Sequence, residues 1–248
     1  MKIKLFKDIN LKGYDLIEGF PSPGLVGTMA VEYLIDKLNM QNIGFIYSDR
    51  FPMIISIHNG TIMPPIRIYA SEKLKLLAIL SEVAIPPELL YIAGRSLKRF
   101  IVDNKIDKTI SIVGFMISRD IDRNKAYGIG FPKDLNKDLE SKGIEVIKEG
   151  AFTGVNSAII NNLLLDDYSN VKIYNIMVPI IQELIDPKYA EIAIKAVNDL
   201  LDINIDITEL EKESKLLNEK IREVLNKSKQ AHENYKRVGI TEHNQMYG

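Results

Sequence analysis

Residues 14–39 read YDLIEGFPSPGLVGTMAVEYLIDKLN, and the order of residue types in this stretch decides the fold. "YDLIEGF" at 14–20 predicts a short strand. The loop "PSPG" at 21–24 follows. Beyond it Leu25, Met29, Tyr33 with Leu34, and Leu38 recur at the helical period, so a helix comes next. Strand, stiff turn and helix in direct succession open a β–α unit, and strands and helices keep alternating afterwards.

Four β-like runs come next: "NIGFIYS" at 42–48, "MIISIH" at 53–58, "IRIYAS" at 66–71 and "LKLLAIL" at 74–80. The turn "HNG" at 58–60 predicts a hairpin between two of them. Pro86-Pro87 opens a helix with Leu90, Ala93, Leu97 and Ile101 along one face. "TISIVGF" at 109–115 reads as a buried strand, because β-branched residues run on without regular alternation. "SRDIDRNKAYGIG" at 118–130 reads as a loop. "FPKDLNKDLESKG" at 131–143 reads as a short helix ended by Gly143, followed by the strand "IEVIKEG" at 144–150. A helix at 155–165 and the strand "VKIYNIMV" at 171–178 precede a last core helix, with Asp186 as N-cap and Pro187 at the first helical position. Alternation of this kind over roughly 200 residues predicts an α/β layer fold with a largely parallel sheet, the core domain spanning 1–205.

The character then changes. Thr208 and Glu211 form a capping box, and Ile207, Leu210, Ser214, Leu217, Ile221 and Val224 recur at spacings of three and four. Such a narrow seam on a charged helix predicts, over 206–230, an amphipathic helix that docks on the body or on a neighbouring subunit, since short isolated helices are marginal. Residues 231–248 read as a flexible polar tail. It ends on Met246, Tyr247 and Gly248, an apolar and aromatic group that gains nothing in solvent without a surface to meet.

Composition narrows the function. The 248 residues are 46% hydrophobic with a net charge of −1, and that balance argues against a nucleic-acid binder. The absence of cysteine excludes disulfides and thiolate nucleophiles, and His58, His232 and His243 are too dispersed for a structural zinc site, so no metal is expected. With no apolar run of membrane or signal-peptide length, the chain reads as soluble and cytoplasmic.

"GFPSPGLVG" at 19–27 sits where nucleotide-binding folds hold phosphate. Pro21 and Pro23 remove two of the N–H groups such a cradle needs. Gly24 to Gly27 is G-x-x-G, which is neither the dinucleotide pattern nor a P-loop. The segment reads instead as a rigid β-to-α turn whose glycines permit tight helix–sheet contact. Asp120 and Asp122 lack the further oxygen ligands of a calcium loop, and His58 reads as a turn residue rather than a general base. No catalytic constellation emerges, and no cofactor is implied.

"GFPSPGLVGTMAVEYLID", "PPELLYIAGRSLKRFIVDNKIDKTISIVGF", "GAFTGVNSAIINNLLL" and "DPKYAEIAIKAVNDLLDINIDITELEKES", in this order, resemble the PAC2 family of proteasome assembly chaperones and their archaeal relatives. The similarity runs from about Tyr14 to Glu223. It implies a three-layer α/β/α core like that of nucleoside phosphorylases, no known catalytic site, homo-oligomers among archaeal members, and a role in assembling or engaging the 20S proteasome. Some archaeal members end in a hydrophobic–tyrosine–any-residue motif that enters pockets between neighbouring α-subunits. Met246, Tyr247 and Gly248 match its three positions, with Gly248 supplying the carboxylate. The leading expectation is therefore a non-enzymatic chaperone or adaptor. The alternative is a phosphorylase- or hydrolase-like enzyme taking a nucleoside-type ligand near the "PSPG" turn.

Overall fold

Side-chain alternation in the central strands divides the molecule into layers. In one strand Leu76, Ala78 and Leu80 join one apolar cluster while Leu77 and Ile79 join another, so both sheet faces are covered. A computed structural model of the chain describes residues 1–51, 54–58, 60–116, 121–166, 170–181, 185–208, 210, 226 and 230.

In chain order the strands are β1 (Lys2–Leu5), β2 (Asp15–Gly19), β3 (Gln41–Tyr47), β4 (Ser56–His58), β5 (Thr61–Met63), β6 (Ile66–Ser71), β7 (Leu76–Ser81), β8 (Lys108–Met116), β9 (Tyr127–Phe131), β10 (Glu145–Val146) and β11 (Lys172–Ile180). The helices are α1 (Val26–Lys37), α2 (Leu90–Asp103), α3 (Asn136–Ser141), α4 (Val155–Leu165) and α5 (Pro187–Leu201), with 3₁₀ turns leading into α1, α2 and α3. Among the described residues, nine strands form one sheet in the order β1-β3-β6-β7-β2-β8-β11-β9-β10, while β4 and β5 make a separate hairpin.

Helices α1, α3 and α5 contribute to the first apolar cluster, and α2 and α4 to the second. This is the expected α/β/α layering. The sheet, however, is mixed rather than largely parallel. The centre β7-β2-β8-β11 is parallel, as is β9-β10, but β1-β3, β3-β6, β6-β7 and β11-β9 are antiparallel. Only the helical crossovers enforce parallel pairing, and the short connections around β6 and β7 carry no helix.

Three strands lie where none was expected: β1, β5 and β9. β1 alternates exposed lysines with half-buried Ile3 and Leu5, a charged edge strand that discourages further pairing. β9 lies inside the stretch read as a loop. Its Gly128 and Gly130 weaken strand propensity, yet a Cβ at Gly130 would come within 2.6 Å of Leu135 Cβ. The strand read at 144–150 shrinks to two residues, and the one at 53–58 to β4, whose hairpin partner across the turn is β5 and not another of the four expected runs. Asp186 caps α5 as expected, accepting from the Lys188 N–H at 2.9 Å.

After α5 the chain returns to the body. Ile205, Ile207 and Leu210 pack on the α1/α5 side, and the Tyr33 hydroxyl donates to the Asp206 carbonyl at 2.8 Å. Glu211, Ser214, Leu217, Ile221 and Val224 lie outside the described residues.

Candidate functional site

The β2-to-α1 turn is bound into the sheet. Ser22 Oγ accepts from the Gly114 N–H at 3.1 Å, and the Ser22 carbonyl accepts from the Leu25 N–H at 2.9 Å. Gly24 has φ +70°, which glycine adopts without strain. A Cβ on Gly27 would stand 2.2 Å from the Ile112 carbonyl oxygen, so α1 approaches β8 more closely than any side chain permits. The turn is thus the tight helix–sheet contact that its glycines predicted.

Beside it lies a polar row that sequence reasoning missed. Glu18 on β2 is registered opposite Ser111 on β8, and Ser111 opposite Asn175 on β11. At the same level β7 and β6 carry Ile79 and Ile68. An apolar row therefore turns polar across three parallel strands. Asn156, in the first turn of α4, covers it by donating Nδ2 to Asn175 Oδ1, and Asn175 Nδ2 donates to the Ile129 carbonyl at 3.3 Å. None of these four residues is more than 4% exposed.

Glu18 is the costly member. Both its carboxylate oxygens are buried without a well-aligned hydrogen-bond partner. Burial drives its pKa up to about 7, against a weaker downward pull from the nearby Ser111 hydroxyl. The row opens into a cavity of about 50 Å³ lined by Glu18, Phe20, Ser22, Ser111, Phe152 and Asn156 among others. It lies at the C-terminal end of β2, on the side of the sheet edge where open α/β folds place ligands. The one sequence signal for it was a carboxylate, Glu18, directly after the apolar Leu16 and Ile17 within the strand.

A second polar cluster surrounds His58, whose Nε2 lies 2.7 Å from Glu82 Oε1. Arg67 Nη2 donates to Glu82 at 2.6 Å, Arg67 Nε to the Tyr69 hydroxyl at 2.7 Å, and the Ser56 hydroxyl to the other Glu82 oxygen. Burial alone would raise the Glu82 pKa, but the bonds from His58, Arg67 and Ser56 together with the Arg67 charge hold it at about 2. Ser56 donates to the carboxylate rather than to the imidazole, so this is not a nucleophile–base pair. The cluster clamps the β4–β5 hairpin onto β6 and β7. The hairpin's other face bears the cross-strand pair Ile57 and Ile62, both exposed.

Of the other sequence candidates, Asp122 is exposed and accepts from the Asn124 N–H at 2.9 Å, as a solvated loop residue does. Asp120, Met246, Tyr247 and Gly248 lie outside the described residues. Among those described, no cluster of three or more His, Asp or Glu side chains could hold a metal, and no helix is long and apolar enough to cross a membrane.

A sheet covered by helices on both faces, with a helix-capped turn after its central strand, defines a class of α/β/α protein. Within that class the chain belongs to the PAC2 family, whose model matches residues 16–225. An uncharacterized protein of Methanocaldococcus jannaschii is 27% identical over 214 residues, 84% of each chain. The crystal structure of Pyrococcus furiosus PbaA, an archaeal homolog of proteasome-assembly chaperone, superposes with TM-score 0.79 at 25% identity, covering 94% of this chain and 100% of that one. Pyrococcus furiosus PbaB, an archaeal proteasome activator, shares the fold with TM-score 0.71 at 22% identity over 90% of this chain and 98% of its own.

Proposed function

We propose that the protein is a non-enzymatic proteasome assembly chaperone or adaptor that engages 20S α-subunits through its C-terminal residues. The observation that carries this reading is membership of the PAC2 family over 16–225, together with the near-complete superposition on PbaA. The His58 cluster supports a non-catalytic role, since its carboxylate is spent on holding a hairpin.

Met246, Tyr247 and Gly248 are the contact residues in this proposal. A tyrosine brings a large contact area at low entropy cost and a hydroxyl for one hydrogen bond. A terminal carboxylate is captured by a lysine or by backbone donors. The polar stretch 231–245 is the tether, and the chain acts as a homo-oligomer, so several weak tails engage at high effective concentration. In this proposal an amphipathic helix over 206–230 docks on the body or on a neighbouring subunit, and Leu210 packs in the core.

The test is a pull-down of proteasome α-subunits by the parent, by Tyr247→Ala and by a protein extended beyond Gly248. Binding by the parent alone is expected. Equal binding by all three would reduce the last three residues to a frayed end.

A further inference from the structure

We propose that the cavity beside Glu18 is a binding site for the ammonium group of a small primary amine. Its size comes first. About 50 Å³ holds one or two water-sized groups, whose share of liquid volume is about 30 Å³ each, and a nucleoside does not enter it. A single head group does.

The hydrogen-bonding character of the lining is settled by a chain of orientations. The Ile129 carbonyl can only accept, so Asn175 must turn its amide nitrogen toward it and its oxygen toward Asn156. Asn156 must then present its own nitrogen to Asn175. This leaves Asn156 Oδ1 without a partner, in a lining that also holds Glu18, whose two oxygens have only the nearby Ser111 hydroxyl as a donor and no well-aligned hydrogen bond. The unmet groups are all acceptors, and they call for a donor with several N–H bonds.

Charge narrows the class further. Glu18 is the only ionisable side chain among the described residues lining the cavity, so a cationic donor restores neutrality and an anion is repelled. One carboxylate and one amide oxygen are too few for a calcium site. An ammonium group needs only a few acceptors at hydrogen-bond distance. Around the cavity, Phe20, Pro21 and Phe152 are half-buried, an aromatic and apolar collar suited to an alkyl stem behind a cationic head.

The full chain is titrated at about pH 8, where an ordinary alkylamine is protonated. The probes are methylammonium, n-butylammonium and 1,4-diaminobutane, with tetramethylammonium and sodium as controls at matched ionic strength. Expected is a saturable rise in melting temperature with the primary amines alone, through mass action on the folded state. Glu18→Gln keeps the shape and removes the charge, and should weaken the amines by at least about tenfold. Phe152→Ala should weaken butylammonium more than methylammonium, and it decides the matter if the Glu18 variant does not fold. No saturable response, an equal response to tetramethylammonium, or amine binding untouched by these variants would overturn the proposal and leave the cavity to water. None of these outcomes bears on proteasome binding.

Discussion

Glu18 occupies a level of the sheet where β6 and β7 carry isoleucine, and its cost depends on pH. Its folded pKa, about 7, lies above the 4.5 of a free glutamate. The folded state therefore binds more protons than the unfolded one between those values, and stability falls as pH rises from 4.5 to about 7. The fall is on the order of 3 kcal/mol for a fully buried group. Glu18→Gln should flatten this slope, leaving the variant more stable than the parent above neutrality in urea melts taken without amines. Parallel pH profiles for the two proteins would show that the carboxylate is compensated in the fold. Gly27 presents the opposite case, since it matters for what it lacks. Gly27→Ala places a methyl against the Ile112 carbonyl and should cost about 1–3 kcal/mol in the same melts. A neutral result would mean that α1 is free to lift from β8.

Among elements, the β4–β5 hairpin depends most on a single polar cluster. Glu82 is 2% exposed and its pKa is lowered from 4.5 to about 2, so its contribution is fully present above 4.5 and fades as pH falls toward 2. Glu82→Gln leaves the Arg67 guanidinium buried without its counter-charge and should cost about 3–5 kcal/mol at neutral pH. The gap between parent and variant should narrow as pH drops below 4.5. A constant gap down to pH 2 would assign the loss to packing rather than to charge. The same cluster holds rigid a hairpin whose outer face carries exposed Ile57 and Ile62.

For the whole molecule, the proposed function rests on several copies acting together. Sedimentation at micromolar concentration should show a homo-oligomer, and a monomer would remove the avidity that the tail mechanism requires. Tyr247→Ala should weaken binding to α-subunits by at least ~2 kcal/mol per tail if the tyrosine is an interface hot spot. The loss for the oligomer should be larger, because every tail weakens at once. Tags at the N-terminus should be harmless and tags after Gly248 should not. N-terminal tags that abolish binding, or C-terminal ones that spare it, would shift the contact away from the tail.

Much of this architecture is local and was therefore legible. Pro23, Gly24 and Gly27 mark the turn, the period of Met29, Tyr33 and Leu34 marks α1, and Asp186 with Pro187 marks the start of α5, because backbone preference and capping act within a few residues. The layered α/β class followed from the alternation of such units. Tertiary structure alone decided the rest. β9 is a strand because β11 lies beside it, and its glycines make sense only once α3 and the turn before it lie across them. The β6-β7 pair follows from a short connection, whereas β1-β3 and β11-β9 join strands that other elements separate along the chain. Glu18, Ser111, Asn156 and Asn175 are four unremarkable polar residues along the chain. Strand register and the crossing of α4 bring them into one buried row, and neither leaves a periodic mark in the sequence because both depend on residues far apart along it.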